Sequence, residues 1–218
     1  MSNKSSWPVP ELRTAACNLF TKLLRACYNL PIQITSWDEL IDLAQLADYY
    51  GMLRSLSSSV GCALLGSKDL FLSLPPQAYK VLPWAAKLRC ASLFRDCVTL
   101  CLGPATNPQY DSIKDSSLKP LLYRLAIAQA EKRKKVRDEL RAYLPRIIHA
   151  PYTQPDHFRR IQHKIEREHE ESVFGGLLDH GLILVPAPKL GERHLRDYFL
   201  NVKLLDEDLT WDEEEMDW

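Results

Sequence analysis

Between residues 34 and 103, apolar side chains recur at three- and four-residue steps, and helix-ending residues cut the segment into short pieces. Apolar side chains at this spacing line one face of an α-helix, so each piece predicts an amphipathic helix. Ser36, with Glu39 three positions later, is a capping box that starts one of them. Gly51 is placed to stop the same helix in a left-handed turn. The segment therefore predicts several short helices around a shared core.

The same spacing continues on both sides of this segment. A first helix is predicted from near Pro10, and the second helix follows Ser36. Their predicted buried faces comprise Leu12, Ala16, Leu19, Phe20, Leu23, Leu24 and Cys27 in the first, and Leu40, Leu43, Ala44, Ala47 and Tyr50 in the second. Further along, a long helix is predicted from Ser117 to about Tyr143, with the prolines of 145–155 ending it and a second charged helix over 156–174.

Strand signals are confined to residues 182–185, so the predicted fold class is all-α. We expect an irregular bundle of short helices, then a hairpin of two long helices, then a C-terminal segment that docks back. The predicted divisions are a helical domain at 1–104, a polar linker at 105–117, a helical extension at 118–205 and an acidic, Trp-containing tail at 206–218. The polar stretch 129–135 of the long helix is expected to project into solvent.

The balance of charges argues against a partner that is attracted by the net charge of the whole chain. Lys and Arg number 28, as do Asp and Glu, so no net field draws the chain to nucleic acid or to an anionic membrane. No apolar run approaches the roughly 20 residues that a membrane span needs, and no signal-peptide pattern opens the chain. The six cysteines lie in helical apolar patterns, which indicates free thiols in a reducing compartment. We therefore expect a cytoplasmic or nuclear protein without a membrane partner.

Three stretches resemble fungal proteins of the BTB/POZ class: LADYYGMLRSLSSSVGCALL at 46–65, AAKLRCASLFRDCVTLCLGP at 85–104 and HLRDYFLNVKLLDEDLTWDEEEMDW at 194–218. The resemblance implies the helical C-terminal half of the BTB fold followed by the helical extension of the fungal group. The β-rich half that opens a complete BTB domain is expected to be absent. The resemblance further implies a protein-interaction role as an adaptor or scaffold, with a ubiquitin-ligase or a transcriptional assembly as its setting and a cullin-type ligase among the partners to consider.

Residue types that carry chemistry occur here in patterns typical of packing. Cys97 and Cys101 alternate with apolar residues, as core positions do, and together with Cys90 they lack the paired spacing of zinc sites. His157, His163 and His169 recur every six residues, a step that fans them around a helix axis. No GxSxG, HExxH or phosphate-loop motif is present. We therefore predict a protein that is not an enzyme and holds no cofactor or metal.

Aromatic and arginine side chains are the common anchors of protein interfaces. On this ground the predicted partner-binding residues are Trp211, Trp218, Met216, Arg95 and Tyr49. Two alternatives stay open for the tail: it binds a partner, or it folds back onto the chain's own helices.

The alternative function is a nuclear protein associated with nucleic acid through the basic helix 131–141. Its contacts would be Lys132, Arg133, Lys134 and Lys135, four consecutive cations able to meet phosphates. Acidic residues are interleaved with them and no aromatic stacking platform accompanies them. The sequence therefore favours other proteins over nucleic acid as partners.

Overall fold

The computed structural model describes residues 10–103, 108–148, 183–184, 202 and 204–211. Over these ranges the chain forms seven α-helices and no strand, which confirms the all-α fold class. The helices are α1 (Pro10–Cys27), α2 (Trp37–Tyr49), α3 (Leu53–Leu65), α4 (Lys68–Leu72), α5 (Ala78–Lys87), α6 (Ala91–Leu102) and α7 (Lys119–Ile148). Short 3₁₀ turns lie at Pro75–Gln77, Gln109–Ser112 and Asp206–Asp208. No helix in these ranges is long and apolar enough to cross a membrane.

The start of α2 shows how local sequence sets a helix boundary. Ser36 is extended, and its hydroxyl accepts the N–H of Glu39 at 3.1 Å, as the predicted cap requires. The Glu39 carboxylate departs from the expected box, because it accepts the N–H and the hydroxyl of Thr35, each at 2.8 Å. It also pairs with the Lys22 ammonium of α1. The cap therefore also ties α2 to the preceding helix.

The contacts within the chain define two compact units. In its described part, the first comprises residues 10–97, 183–184 and 210–211. Trp37, 1% exposed, lies at the centre of its core, where its indole N–H donates to the Leu70 carbonyl at 3.0 Å. Its ring meets Phe71 edge-on at 5.6 Å between centroids. Because the buried indole has its hydrogen bond, this large side chain fills the core without leaving a polar atom unpaired.

Two short pieces of the later sequence pack against α6 in this first unit. Asp96 is fully buried, and its carboxylate oxygens accept the backbone N–H groups of Ile183 at 2.6 Å and Leu184 at 2.7 Å. These two residues form a bend and not the strand considered for 182–185. Trp211 meets the Phe94 ring edge-on at 5.1 Å. A buried carboxylate and a ring contact thus hold these pieces.

The second unit comprises residues 98–103, 108–148, 202 and 204–209 of the described chain. Its main element, α7, buries Leu122 and Leu125 near its start, and Leu118, just before the helix, is buried as well. Arg124 pairs with Asp208 at 2.5 Å, and Tyr110 meets Tyr123 edge-on at 5.9 Å.

Two expectations about α7 are wrong. The helix does not end near Tyr143, as predicted, but continues through Pro145 to Ile148. Because only three residues follow the proline, the missing N–H removes one hydrogen bond near the helix end and interrupts little further structure. The stretch 129–135 does not project wholly into solvent, since Gln129 is buried and the Arg133 guanidinium donates to the Gly103 carbonyl at 2.8 Å. That carbonyl, just past the end of α6, lacks a helical partner and attracts a cation.

The second charged helix predicted over 156–174 lies outside the described residues.

Candidate protein-interaction surface

The first helix buries a narrower face than its sequence predicts. Leu23 and Ala26 are fully buried, whereas Phe20 and Leu24 are 41% and 40% exposed. Ala16, also expected inside, is exposed. The apolar stripe of α1 is therefore wider than the part that neighbouring helices cover, and the prediction that Phe20, Leu24 and Ala16 are buried is wrong. The uncovered residues continue at a four-residue step to Tyr28, which is 76% exposed.

The end of α2 adds two rings to this uncovered stripe. Tyr50, predicted to be buried, is 49% exposed, and its ring meets Phe20 edge-on at 5.8 Å between centroids. Tyr49 meets Tyr50 at 5.0 Å and is 82% exposed, more than any other large apolar side chain of the described residues. We call Phe20, Leu24, Tyr28, Tyr49 and Tyr50 the apolar patch. Ring contacts join Phe20, Tyr50 and Tyr49, and all five residues lie within the first unit.

A left-handed turn fixes the tyrosine pair in place. Gly51 has φ = +68°, a conformation that other residues adopt at a cost, as the sequence predicts for this position. The following N–H, of Met52, donates to the Ala47 carbonyl at 2.7 Å and closes the helix end. The Met52 sulfur also lies 3.5 Å from that of Cys27 on α1. The turn therefore holds Tyr50 against Phe20 from a rigid backbone.

The charge that α2 carries is negative. α2 carries four carboxylates, on Asp38, Glu39, Asp42 and Asp48, and no Lys or Arg. Glu39 pairs with Lys22, and Asp48 pairs with Lys87 at 2.5 Å. Asp38 and Asp42 are exposed and have no ion-pair partner within the described part of the chain. Two unneutralised carboxylates therefore lie on the helix that ends in Tyr49.

A shallow cavity of about 400 Å³ lies elsewhere on the first unit, lined by residues 29–32 and by Ser58, Ser59, Cys62 and Ala63. Its lining combines apolar side chains with hydroxyls and one exposed thiol, and contains no carboxylate, imidazole or ammonium. The cavity could therefore hold a small molecule, but none of its lining residues has a charged group that could orient a substrate.

The structure separates the predicted partner-binding residues. Tyr49 is part of the apolar patch and is its most exposed ring. Trp211 is half-buried against Phe94, and Arg95 is half-buried on α6. Met216 and Trp218 lie outside the described residues. Of the two alternatives for the tail, the fold-back is the arrangement observed for Trp211.

The four basic residues at 132–135 lie on α7, but they are not equally exposed to solvent. Lys134 and Lys135 are exposed, whereas Lys132 and Arg133 are half-buried and Arg133 is engaged with Gly103. This stretch therefore exposes fewer cationic side chains to solvent than its sequence indicates.

The cysteines of α6 are packed as the sequence predicts. Cys97 and Cys101 are fully buried, and burial raises the pKa of the Cys101 thiol far above its usual value. Burial also raises the pKa of Cys90, and the neighbouring Asp96 charge adds to the effect. The raised pKa values keep the Cys90 and Cys101 thiols protonated at neutral pH. No His, Cys, Asp and Glu cluster able to hold a metal occurs among the described residues, and His157, His163 and His169 lie outside them.

Sequence reasoning selected Tyr49 and missed its partners in the patch: Phe20, Leu24, Tyr28 and Tyr50. The available signal was the width of the apolar stripe on α1, which exceeds the face that one packed helix of this length needs. Periodicity reports which side of a helix is apolar, and it does not report which part of that side a neighbour covers.

No family model, curated protein or solved structure matches this chain. The resemblance to the BTB/POZ class therefore rests on the three quoted stretches alone and stays a prediction.

Proposed function

We propose that this chain is a non-enzymatic protein–protein interaction module and that the apolar patch is its contact surface. The observation that carries the proposal is the chain of touching rings from Phe20 through Tyr50 to Tyr49, left open to solvent on two helices. Clustered exposed apolar side chains are a feature of interaction sites, whereas singly scattered ones are ordinary. Tyrosine is also among the residues that contribute most to interface affinity.

The resemblance to fungal BTB/POZ proteins supports the same proposal. The stretch LADYY at 46–50 is part of that resemblance, and it ends in the two tyrosines of the patch. On this basis we propose an adaptor or scaffold in the cytoplasm or nucleus, within a ubiquitin-ligase or transcriptional assembly. A cullin-type ligase is one candidate partner.

The proposal is tested by reconstituting a complex. Tagged chain captures partners from cells of its source organism, and each captured protein is then purified and titrated against the chain by calorimetry. Tyr49→Ala is expected to weaken a true complex by about 30-fold, since an interface tyrosine of this kind contributes about 2 kcal/mol. Tyr123→Ala, which removes a half-exposed ring from α7, is the matched control and should leave the affinity unchanged.

Equal affinity of the wild-type chain and Tyr49→Ala for every reconstituted partner would rule out the patch as the contact surface. Unfolding of both variants in urea separates lost affinity from lost folding, and Tyr49→Ala should unfold as the wild type does because its side chain is exposed.

Nucleic-acid binding stays the second proposal, with less support because Arg133 is engaged within the fold. Replacing Lys132, Arg133, Lys134 and Lys135 by Gln tests it. If the variant retains less RNA or DNA than the wild type, and the difference is larger at low salt than at high salt, nucleic-acid binding is favoured.

A further inference from the structure

One face of α2 leads directly into the apolar patch. Asp38, Asp42, Gln45 and Tyr49 are all exposed and follow one another at steps of four, three and four residues. Residues at these steps share one side of a helix. The solvent side of α2 therefore presents two carboxylates, an amide and then the most exposed ring of the described chain.

The charge of this face is not balanced within the fold. The ammonium groups of Lys22 and Lys87 neutralise the other two carboxylates of α2, Glu39 and Asp48. Asp38 and Asp42 have no such partner among the described residues, and they lie on the helix that leads to an apolar surface. A partner segment with negative charge would meet repulsion here, and one with positive charge would meet attraction.

The chain itself contains the contact that such a partner would make. Lys87 places its ammonium 4.8 Å from the centroid of the Trp84 ring while pairing with the Asp48 carboxylate. An ammonium between a ring face and a carboxylate is attracted by both. Tyr49 follows Asp48 directly and offers an open ring, with the Asp42 carboxylate two turns earlier on the same face of α2.

We infer that the partner of the apolar patch presents a basic segment: apolar side chains that pack on Phe20, Leu24 and Tyr50, and at least one Lys or Arg that lies over Tyr49 with its charge toward Asp42 and Asp38. This inference rests on the proposed function and names the chemistry of the partner. A basic amphipathic helix or strand meets the requirement, whereas an acidic segment does not.

The test uses three synthetic peptides of equal length with identical apolar positions and with Arg, Gln or Glu at all others. Their binding to the full chain is measured by fluorescence anisotropy at low and moderate salt. The Arg peptide is expected to bind about 10-fold or more tighter than the Gln peptide at low salt, with a smaller difference at moderate salt. The Glu peptide should bind more weakly than the Gln peptide.

Two variants locate the effect. The double variant Asp38→Asn, Asp42→Asn should reduce the preference for Arg over Gln several-fold and leave the affinity of the Gln peptide unchanged. Asp111→Asn removes an exposed carboxylate from the Gln109–Ser112 turn and should alter neither value. Tyr49→Leu keeps an apolar side chain and should weaken the Arg peptide more than the Gln peptide.

Three results would overturn the inference: equal binding of the Arg and Gln peptides, a preference for the Glu peptide, or an Arg preference that survives the double variant. Failure of all peptides to bind overturns it as well. None of these outcomes decides the proposed function, which fails if every reconstituted partner binds Tyr49→Ala as tightly as it binds the wild-type chain.

Discussion

Single side chains determine where helices begin and how neighbouring helices are linked, and Glu39 is an example. Partial burial alone would raise the pKa of its carboxyl, but the Lys22 ammonium and the N–H and hydroxyl of Thr35 together hold that pKa below its usual value of 4.5. Each of these contacts favours the ionised form. One carboxylate therefore closes the start of α2 and pairs it with α1.

Glu39→Gln should lower the free energy of unfolding at neutral pH by about 1 kcal/mol, as the loss of a helix-capping contact does. Because the folded pKa is lowered, the stabilisation by Glu39 is complete above pH 4.5 and is lost as the pH falls through the lowered value. The difference between wild type and variant should shrink over that acidic range. Urea unfolding at a series of pH values measures it.

Glu131→Gln is the control, because Glu131 is an exposed carboxylate on α7 and should change stability by less than about 0.5 kcal/mol. A stability difference for Glu39→Gln that stays constant down to strongly acidic pH would contradict this account of its carboxyl.

At the scale of elements, α6 anchors chain segments from far along the sequence. Asp96 accepts two backbone N–H groups from residues 87 and 88 positions later, and such bonds to a buried carboxylate are stronger than neutral ones. Nothing in the pattern around Asp96 predicts this role. Of its neighbours, Arg95 is typical of a helix surface and Cys97 is typical of a helix core.

Asp96→Asn should destabilise the first unit by about 1–3 kcal/mol, because the uncharged amide leaves one of the two N–H groups with a poorer partner. Hydrogen exchange should accelerate at the Ile183 and Leu184 amides before it does in α2. Asp42→Asn, an exposed position, is the matched control and should do neither. Unchanged exchange at both amides in Asp96→Asn would contradict the anchoring role.

The sequence predicted the start of α1 and both ends of α2, because caps and stops are local. Ser36 and Gly51 act through their own backbone, so their roles are readable from neighbouring letters. The left-handed turn at Arg89, φ = +49°, had no such signal, since a residue with a long side chain seldom takes that conformation. The exposure of Phe20 and Tyr50 was unpredictable for a different reason: it depends on the tertiary placement of other helices.

For the whole molecule, the fold class follows from the sequence and the function does not. Helical periodicity and the lack of strand patterns suffice to predict an all-α fold, and the described residues confirm it. Tyr49 was predicted as one anchor, yet the surface to which it belongs becomes visible only when α1 and α2 are placed side by side. The central claim is that this surface, and not the tail or the basic run, meets the partner.

Hydroxyl-radical footprinting of the reconstituted complex tests that claim most directly, because it measures the solvent access of individual tyrosine and phenylalanine rings. Among the tyrosine and phenylalanine rings that the structure describes, those of Tyr49 and Tyr28 should be oxidised fastest in the free chain, in line with their exposed fractions of 82% and 76%. In the complex both should be shielded, with Tyr123 on α7 unchanged. Shielding of Tyr123, with Tyr49 and Tyr28 oxidised as fast as in the free chain, would contradict the account.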